Sequence, residues 1–383
     1  LKDMLEYSPG VMVQPRFGAE EARLSIRGSG IQRTFHLRGI TLLQDSVPLS
    51  DADGSGDFQE IEPLAYHYIE VYRGANALEY GSTTLGGAIN FISPTGYDAS
   101  LIQGRLEAGS FGYLKGQASS GARVGPADYY VSLTQYRQVG YRVHSEQDNR
   151  RIFANLGYRV SPNLENRFYL ALVDTHSALP GSLTKFQMET DPTQANPANI
   201  SQNQRRDFDY TRIADKITYA WDDQQVDVSP YFSHKDLHHP IFQILDDEFQ
   251  NWGGHFRYLN TKDFFGKKSR FVTGYLGMAE SLWDLRFVNR GGARGAKTAD
   301  AAQTSYNLNF YGEENLEIIP RVTLVGGWQW VISSRRQDDR FLADGNNSGH
   351  FMYRKVDPKA GILFAATPKI QWFGNFSQSF EPP

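Results

Sequence analysis

The stretch Asp51-Ala52-Asp53-Gly54-Ser55-Gly56-Asp57-Phe58-Gln59-Glu60-Ile61-Glu62 sets side-chain oxygens at alternate places and ends on a glutamate. This is the pattern of a twelve-residue calcium loop, with oxygen ligands at alternate places, a glycine at the sixth and a glutamate at the last. Asp51, Asp53, Ser55, Asp57 and Glu62 are therefore candidate calcium ligands. The flanks argue against a helix–loop–helix: Ile40-Thr41-Leu42-Leu43-Gln44 reads as a strand, and Pro48 intervenes. A polar turn is the plainer reading, and a non-helical calcium site the alternative. A second group, His234, His238 and His239, lies in the run 233–243. Neighbouring side chains on an extended chain face opposite ways, so His238 and His239 are poorly placed to share a metal. They suit contact with a bulky ligand from a loop. Nucleophilic and phosphate chemistry find no support: there is no G-x-S-x-G elbow and no phosphate-cradling loop. Five methionines without a Met-rich run argue against a copper site.

The elements that must carry these groups follow from composition and pattern. The chain has 383 residues, no cysteine and a net charge of -4. Absent cysteine excludes a disulfide scaffold, a thiolate metal site and a thiol nucleophile. The balance of 39 basic against 43 acidic residues argues against a nucleic-acid partner. No run approaches the roughly 18 apolar residues of a spanning helix. That does not exclude a barrel, whose strands alternate lipid-facing and lumen-facing residues. The 13% aromatic content and the 36 glycines favour that exception.

Residues 1–97 carry short mixed elements and glycine-centred turns, closed by Ser93-Pro94-Thr95-Gly96. From residue 98 to 383 a period of two takes over. Tyr129, Val131 and Leu133 alternate with Asp128, Ser132 and Thr134; Tyr306, Leu308 and Phe310 alternate with Ser305, Asn307 and Asn309. About 12 or 13 such runs are present, many long enough for a tilted membrane strand. Short connections (Ser161-Pro162-Asn163, Ile319-Pro320, Thr367-Pro368-Lys369) alternate with long polar ones, expected at 176–207, 236–250, 284–302 and 337–350. Short turns at one rim and long loops at the other fit an outer-membrane barrel; a soluble sandwich or propeller is the alternative. A partial set of strands leaves open edges, so the sequence reads as a fragment or a chain trimmed at both ends, with further strands expected beyond it.

Residues 24–97 contain an Arg27-Gly28 turn, the strand-like 42–49, then Ile69-Glu70-Val71-Tyr72-Arg73-Gly74, Tyr80-Gly81 and Gly86-Gly87-Ala88-Ile89-Asn90. In order and spacing this resembles the plug domain of TonB-dependent outer-membrane receptors. Residues 311–320 and 375–383 look like barrel strands of the same family, and residues 27–39 look nearest to its siderophore and ferric-citrate branch. Ser46 stands where the family usually has glycine, and Ala75 where it has glycine or proline.

The resemblance implies a mostly β protein: an N-terminal α+β plug (1–97) inside a transmembrane antiparallel barrel (98–383, incomplete), of about 22 strands in the family. It implies a bacterial outer-membrane location, no catalysis and no resident cofactor, iron arriving within the transported chelate. It implies as partners the TonB energy-transducing protein, a ferric chelate, and outer-membrane lipids and lipopolysaccharide. The segment that TonB grips is not found in the sequence. On the family layout, residues 51–62 fall at the outward apex of the plug. The expected apex contacts are Gln32, Arg33, His36, Asp51, Asp53, Asp57 and Phe58; those of the outer loops are His238, His239, Arg290 and Arg294. Arg205, Arg206, Arg290 and Arg294 suit an anionic chelate by field focusing, or lipopolysaccharide phosphates. Arg27, Arg38 and Arg73 are expected to fork onto carboxylates of the lumen wall. Cobalamin, another metal complex, a glycan, or a soluble β-rich binding protein are the alternatives.

Overall fold

The computed structural model describes residues 2–16, 21–31 and 37–382. The N-terminal part opens with a hairpin of β1 (Val11–Arg16) and β2 (Glu21–Ile26). A four-stranded sheet follows, built from β3 (Ile40–Gln44), β4 (Val47–Pro48), β5 (Tyr68–Arg73) and β6 (Gly87–Ile92) in the order β4-β3-β6-β5. β3 and β6 are parallel. Parallel neighbours need a long connection, and the chain spends it on the 50–62 loop, β5 and a 3-10 segment at Gly74–Tyr80. β3 is buried along its whole length, and its two polar residues are satisfied there: Thr41 by the Thr83 hydroxyl and Gln44 by donating to Ser93 Oγ. Gly87 has φ +144, and a Cβ there would sit 1.9 Å from the Tyr72 carbonyl oxygen. Any side chain would push β5 off β6, which is why this position of the motif is glycine.

The remainder is one antiparallel sheet of thirteen strands. They are β7 (Gln103–Ala108), β8 (Leu114–Val124), β9 (Ala127–Gln138), β10 (Gln147–Ser161), β11 (Leu164–Ala178), β12 (Arg205–Trp221) and β13 (Gln224–Pro240). Then come β14 (Gln243–Asn260), β15 (Ser269–Arg290), β16 (Ala293–Ile319), β17 (Val322–Asp339), β18 (Gly349–Thr367) and β19 (Ile370–Ser377). Each pairs with its sequence neighbour, and β7 and β19 form the two free edges. On β13, Asp227, Ser229, Tyr231, Ser233 and Lys235 are buried while Val228 and Phe232 are exposed. The same alternation leaves Leu156, Trp252 and Trp328 on the outer face. Polar residues therefore face inward and apolar ones outward, the inverse of a soluble sheet.

The inner face wraps the N-terminal part. Plug residues Ile40, Leu42, Ile89 and Phe91 share one apolar cluster with Phe153, Val173, Phe208 and Leu237 of β10 to β13. Side chains from β8, β10, β12, β13, β14, β16 and β17 all reach the plug, which a flat sheet does not allow.

Two of the four expected long loops are strand. Residues 236–250 form the ends of β13 and β14 around a tight turn at Ile241 and Phe242. Residues 284–302 form the ends of β15 and β16 around Gly291-Gly292, with φ +67 and +92, a two-residue hairpin turn. β16 has 27 residues, against the roughly 9–11 that cross a bilayer, so these hairpins stand far out from the rim.

Candidate ligand chamber and plug seam

The 50–62 loop leaves β4 and runs along the inner face of β10 to β16. Its backbone is held by the wall: Asn307 Nδ2 donates to the Ala52 carbonyl at 2.6 Å, and the Ala52 N–H donates to Asn251 Oδ1 at 3.3 Å. Its carboxylates then take separate partners. Asp51 accepts from Asn251 Nδ2 at 2.9 Å and from Ser55 Oγ at 3.2 Å. Asp57 caps a short 3-10 turn through the Gln59 N–H and pairs with Arg206 of β12. Glu60 lies 2.8 Å from Lys235 Nζ of β13. Glu62, fully buried, is gripped by Arg151 at 3.0 Å and Lys115 at 2.9 Å.

The calcium-loop set is thus divided. Asp51 and Asp53 stay together, but Asp57 and Glu62 are turned onto wall cations. Their place in the spacing is met by ion pairing instead of by a shared metal. Phe58 is buried in the apolar cluster and anchors the loop. Gln32, Arg33 and His36 lie outside the described residues.

Burial works against ionisation of Asp57, but Arg206 and Lys235 outweigh it and hold the carboxyl below its usual range. Burial pushes Glu60 up to about 8, with Lys235 opposing and Asp51 and Asp57 adding to the rise. Burial likewise raises Asp51 against the pull of Lys235. One lysine thus serves two buried carboxyl groups.

The expected polarity of the seam is reversed. The plug supplies Asp57, Glu60, Glu62 and Glu79; the wall supplies Lys115, Arg151, Arg206, Lys235 and Arg257. Arg73 instead donates to the Pro9 carbonyl within the plug. Arg38 donates to the Asp53 carbonyl, with Glu381 at 3.9 Å. The Arg27 N–H bonds the Gly10 carbonyl. Arg27 and Arg73 thus fold the plug, whereas the Arg38-Gly39 pair also ties it to the barrel segment, through the Pro382 carbonyl at 3.2 Å and the Gly39 N–H to Glu381 at 2.8 Å.

At the far rim, His238 lies on β13 and pairs with Asp246 of β14 at 2.6 Å. Arg294 of β16 reaches the same carboxylate. His239 bonds the Arg205 carbonyl at 2.7 Å, and Arg290 is exposed at the end of β15. His238, His239 and Arg294 therefore bridge strands instead of hanging on loops. A cleft of about 580 Å³ near the same rim is lined by Arg137, Asp148, His176, Arg205 and Asp207 among others. Sequence reasoning missed Glu280 and Lys235. Both sit at inward places of the alternation, Glu280 in line with Leu276 and Met278.

Residues 1–88 match the family described as TonB-dependent receptor plug domain, and residues 94–383 match the TonB-dependent receptor-like beta-barrel. The chain belongs to the TonB-dependent receptor family. Its members are receptors and transporters, not enzymes. The receptor is 30% identical over 147 residues to the vitamin B12 transporter BtuB of Vibrio cholerae serotype O1, a stretch covering 37% of this chain and 23% of that protein. It is 26% identical over 171 residues to the ferric-pyoverdine receptor PbuA of Pseudomonas sp. strain M114, covering 43% and 19%. Among solved structures, the unliganded ferric citrate transporter FecA superposes with a TM-score of 0.84 at 16% identity. That match covers 99% of this chain and 60% of FecA. The alcaligin receptor FauA of Bordetella pertussis gives 0.73 at 15% identity, covering 99% and 59%. The receptor chain thus spans about 60% of the length of these solved relatives.

Proposed function

We propose that the receptor binds a ferric siderophore or similar iron chelate and imports it across the bacterial outer membrane, with energy delivered by TonB. The observation that carries this reading is a lumen filled by a plug whose wall contacts are mainly charged and polar. Such contacts hold a stopper in place yet exchange for water or ligand when pulled, which an apolar core does not allow. The plug is taken as residues 1–97 and the barrel segment as 98–383. The iron-chelate cargo is supported by the ferric citrate and alcaligin receptors among the solved structures of the same fold. Contacts are assigned to Asp51, Asp53, Gln32, Arg33 and His36 on the plug, and to His238, His239, Arg290 and Arg294 at the rim. Asp57 and Phe58 act by holding the apex loop. Cargo bound between apex and rim favours one plug position over another, and that shift is what the energising partner reads. The sequence match to a vitamin B12 transporter favours cobalamin as the second reading.

Uptake of radiolabelled ferric citrate, ferric siderophores and cobalamin, in cells with the receptor as sole importer, tests the assignment. Iron accumulation that stops when TonB is removed is expected. Cobalamin accumulation without iron uptake overturns the iron reading.

A further inference from the structure

Asp51, Asp53 and Glu280 each bring a carboxylate oxygen within 4.8 Å of the others. The first two come from the plug and the third from β15 of the wall, so the trio spans the seam. Glu280 is 3% exposed, and its Oε2 has no hydrogen-bond partner. A buried carboxylate aimed at two others without a donor is a costly arrangement unless a positive charge lies among them. The cations at hand are shared with other partners, and neither gives Glu280 Oε2 a hydrogen bond. Lys235 lies 3.6 Å from Asp51 but 2.8 Å from Glu60. Arg335 of β17 donates through Nη1 to Asn307 Oδ1 and to the carbonyls of Tyr306 and Ser334. The loop between the two aspartates is fixed by Asn251 and Asn307 on both sides of Ala52, so the aspartates hold their positions without a metal.

We infer that Asp51, Asp53 and Glu280 form a site for a hard divalent cation of calcium size, which latches the apex loop of the plug to β15. Oxygens up to 4.8 Å apart span an ion whose bonds are roughly 2.3–2.6 Å, the calcium range. Three carboxylates exceed what is needed to neutralise the ion, which suits a site in competition with a nearby lysine. Ser55 Oγ, 3.2 Å from Asp51 Oδ2, is in place to hold an ion-bound water. This set shares Asp51 and Asp53 with the twelve-residue spacing but replaces its terminal glutamate by one from a distant strand. The set shares Asp51 and Asp53 with the contacts proposed for the cargo, so its test is run without cargo.

The test is calcium titration of the intact receptor in detergent after chelator treatment, by calorimetry and by thermal melting. One calcium per receptor is expected, with affinity near the roughly 10⁻⁴–10⁻³ M of extracellular modules, and a melting midpoint raised by the ion. Glu280→Gln and Asp53→Asn should each weaken binding about tenfold or more and abolish the calcium-dependent shift in melting. Asp53 is only partly buried, so its variant keeps the test open if Glu280→Gln folds poorly. No calcium heat in the wild type, or unchanged binding in both variants, overturns the inference. So does a melting midpoint that responds to pH but not to chelator, the signature of a shared proton.

Discussion

Two sectors of the wall meet the same plug in different ways. From β8 to β14 the wall offers Lys115, Arg151, Arg206 and Arg257 to plug carboxylates, and Lys235 to the carboxyl groups of Glu60 and Asp51. Toward β16 and β17 the contacts are amide to carbonyl: Asn307 to Ala52, and Gln329 to Leu78 at 3.1 Å. Between these sectors, β15 turns Glu280 onto Asp51 and Asp53, like charge against like. Buried ion pairs resist loss of either partner, whereas neutral hydrogen bonds exchange with water at small net cost. Within this part of the wall the plug is ion-paired to β8–β14, bonded by amides to β16 and β17, and tied again by Arg38 and Gly39 to Glu381 beyond β19.

The comparison breaks most directly at Arg151. Arg151→Met leaves the buried Glu62 to Lys115 and the Leu64 N–H, and removes the donor to the Gln59 carbonyl. It should cost about 3–5 kcal/mol of plug docking in urea melts of the receptor. A loss under about 1 kcal/mol would mean the ion-paired sector is no stronger than the other. Asn307→Leu, on the amide side, should cost about 1–3 kcal/mol by stranding the Ala52 carbonyl, read in the same melts. Hydrogen exchange should place the added opening near the 50–62 loop.

Acidity sharpens the same contrast through two groups of opposite sign. Asp57 titrates below its unfolded value of 3.8. Its stabilisation is complete above that value and is lost as pH falls through the folded one. Glu60 titrates near 8, above its unfolded value of 4.5, so its ionisation costs stability progressively as pH rises between the two. Stability curves against pH should lose their acid limb in Asp57→Asn and their fall toward pH 8 in Glu60→Gln. Parallel curves for wild type and both variants would remove these groups from the seam. The smallest effect is expected at Ser46, whose φ of +72 lies in the left-handed region. Ser46→Gly should raise the melting midpoint slightly, gaining about 0.5–1 kcal/mol after the entropy glycine adds to the unfolded chain.

Much of the wall was legible because alternation is local. Asp128, Ser132 and Thr134 face in, and Val131 and Leu133 face out, as their spacing demands. The hairpins at 236–250 and 284–302 were misread as loops for a physical reason. Beyond the bilayer both faces of a strand meet water, the apolar face is lost, and hydropathy no longer separates strand from loop. The left-handed turn at Ser46 was not drawn from its departure from a glycine position and emerged only in the backbone.

The sequence by itself determined which residues face inward, since a strand's period of two needs no knowledge of its neighbours. It also determined the glycine turns of the plug, since Gly87 admits no side chain where β5 and β6 pair. Only the tertiary structure decided who meets whom across the seam. Glu62 finds Arg151, and Glu280 finds Asp51 and Asp53, because the curvature of the sheet and the rotation of the plug within it bring distant segments together. Alternation fixes a face and leaves the partner open, and charge polarity across an enclosed interface is a property of both surfaces at once.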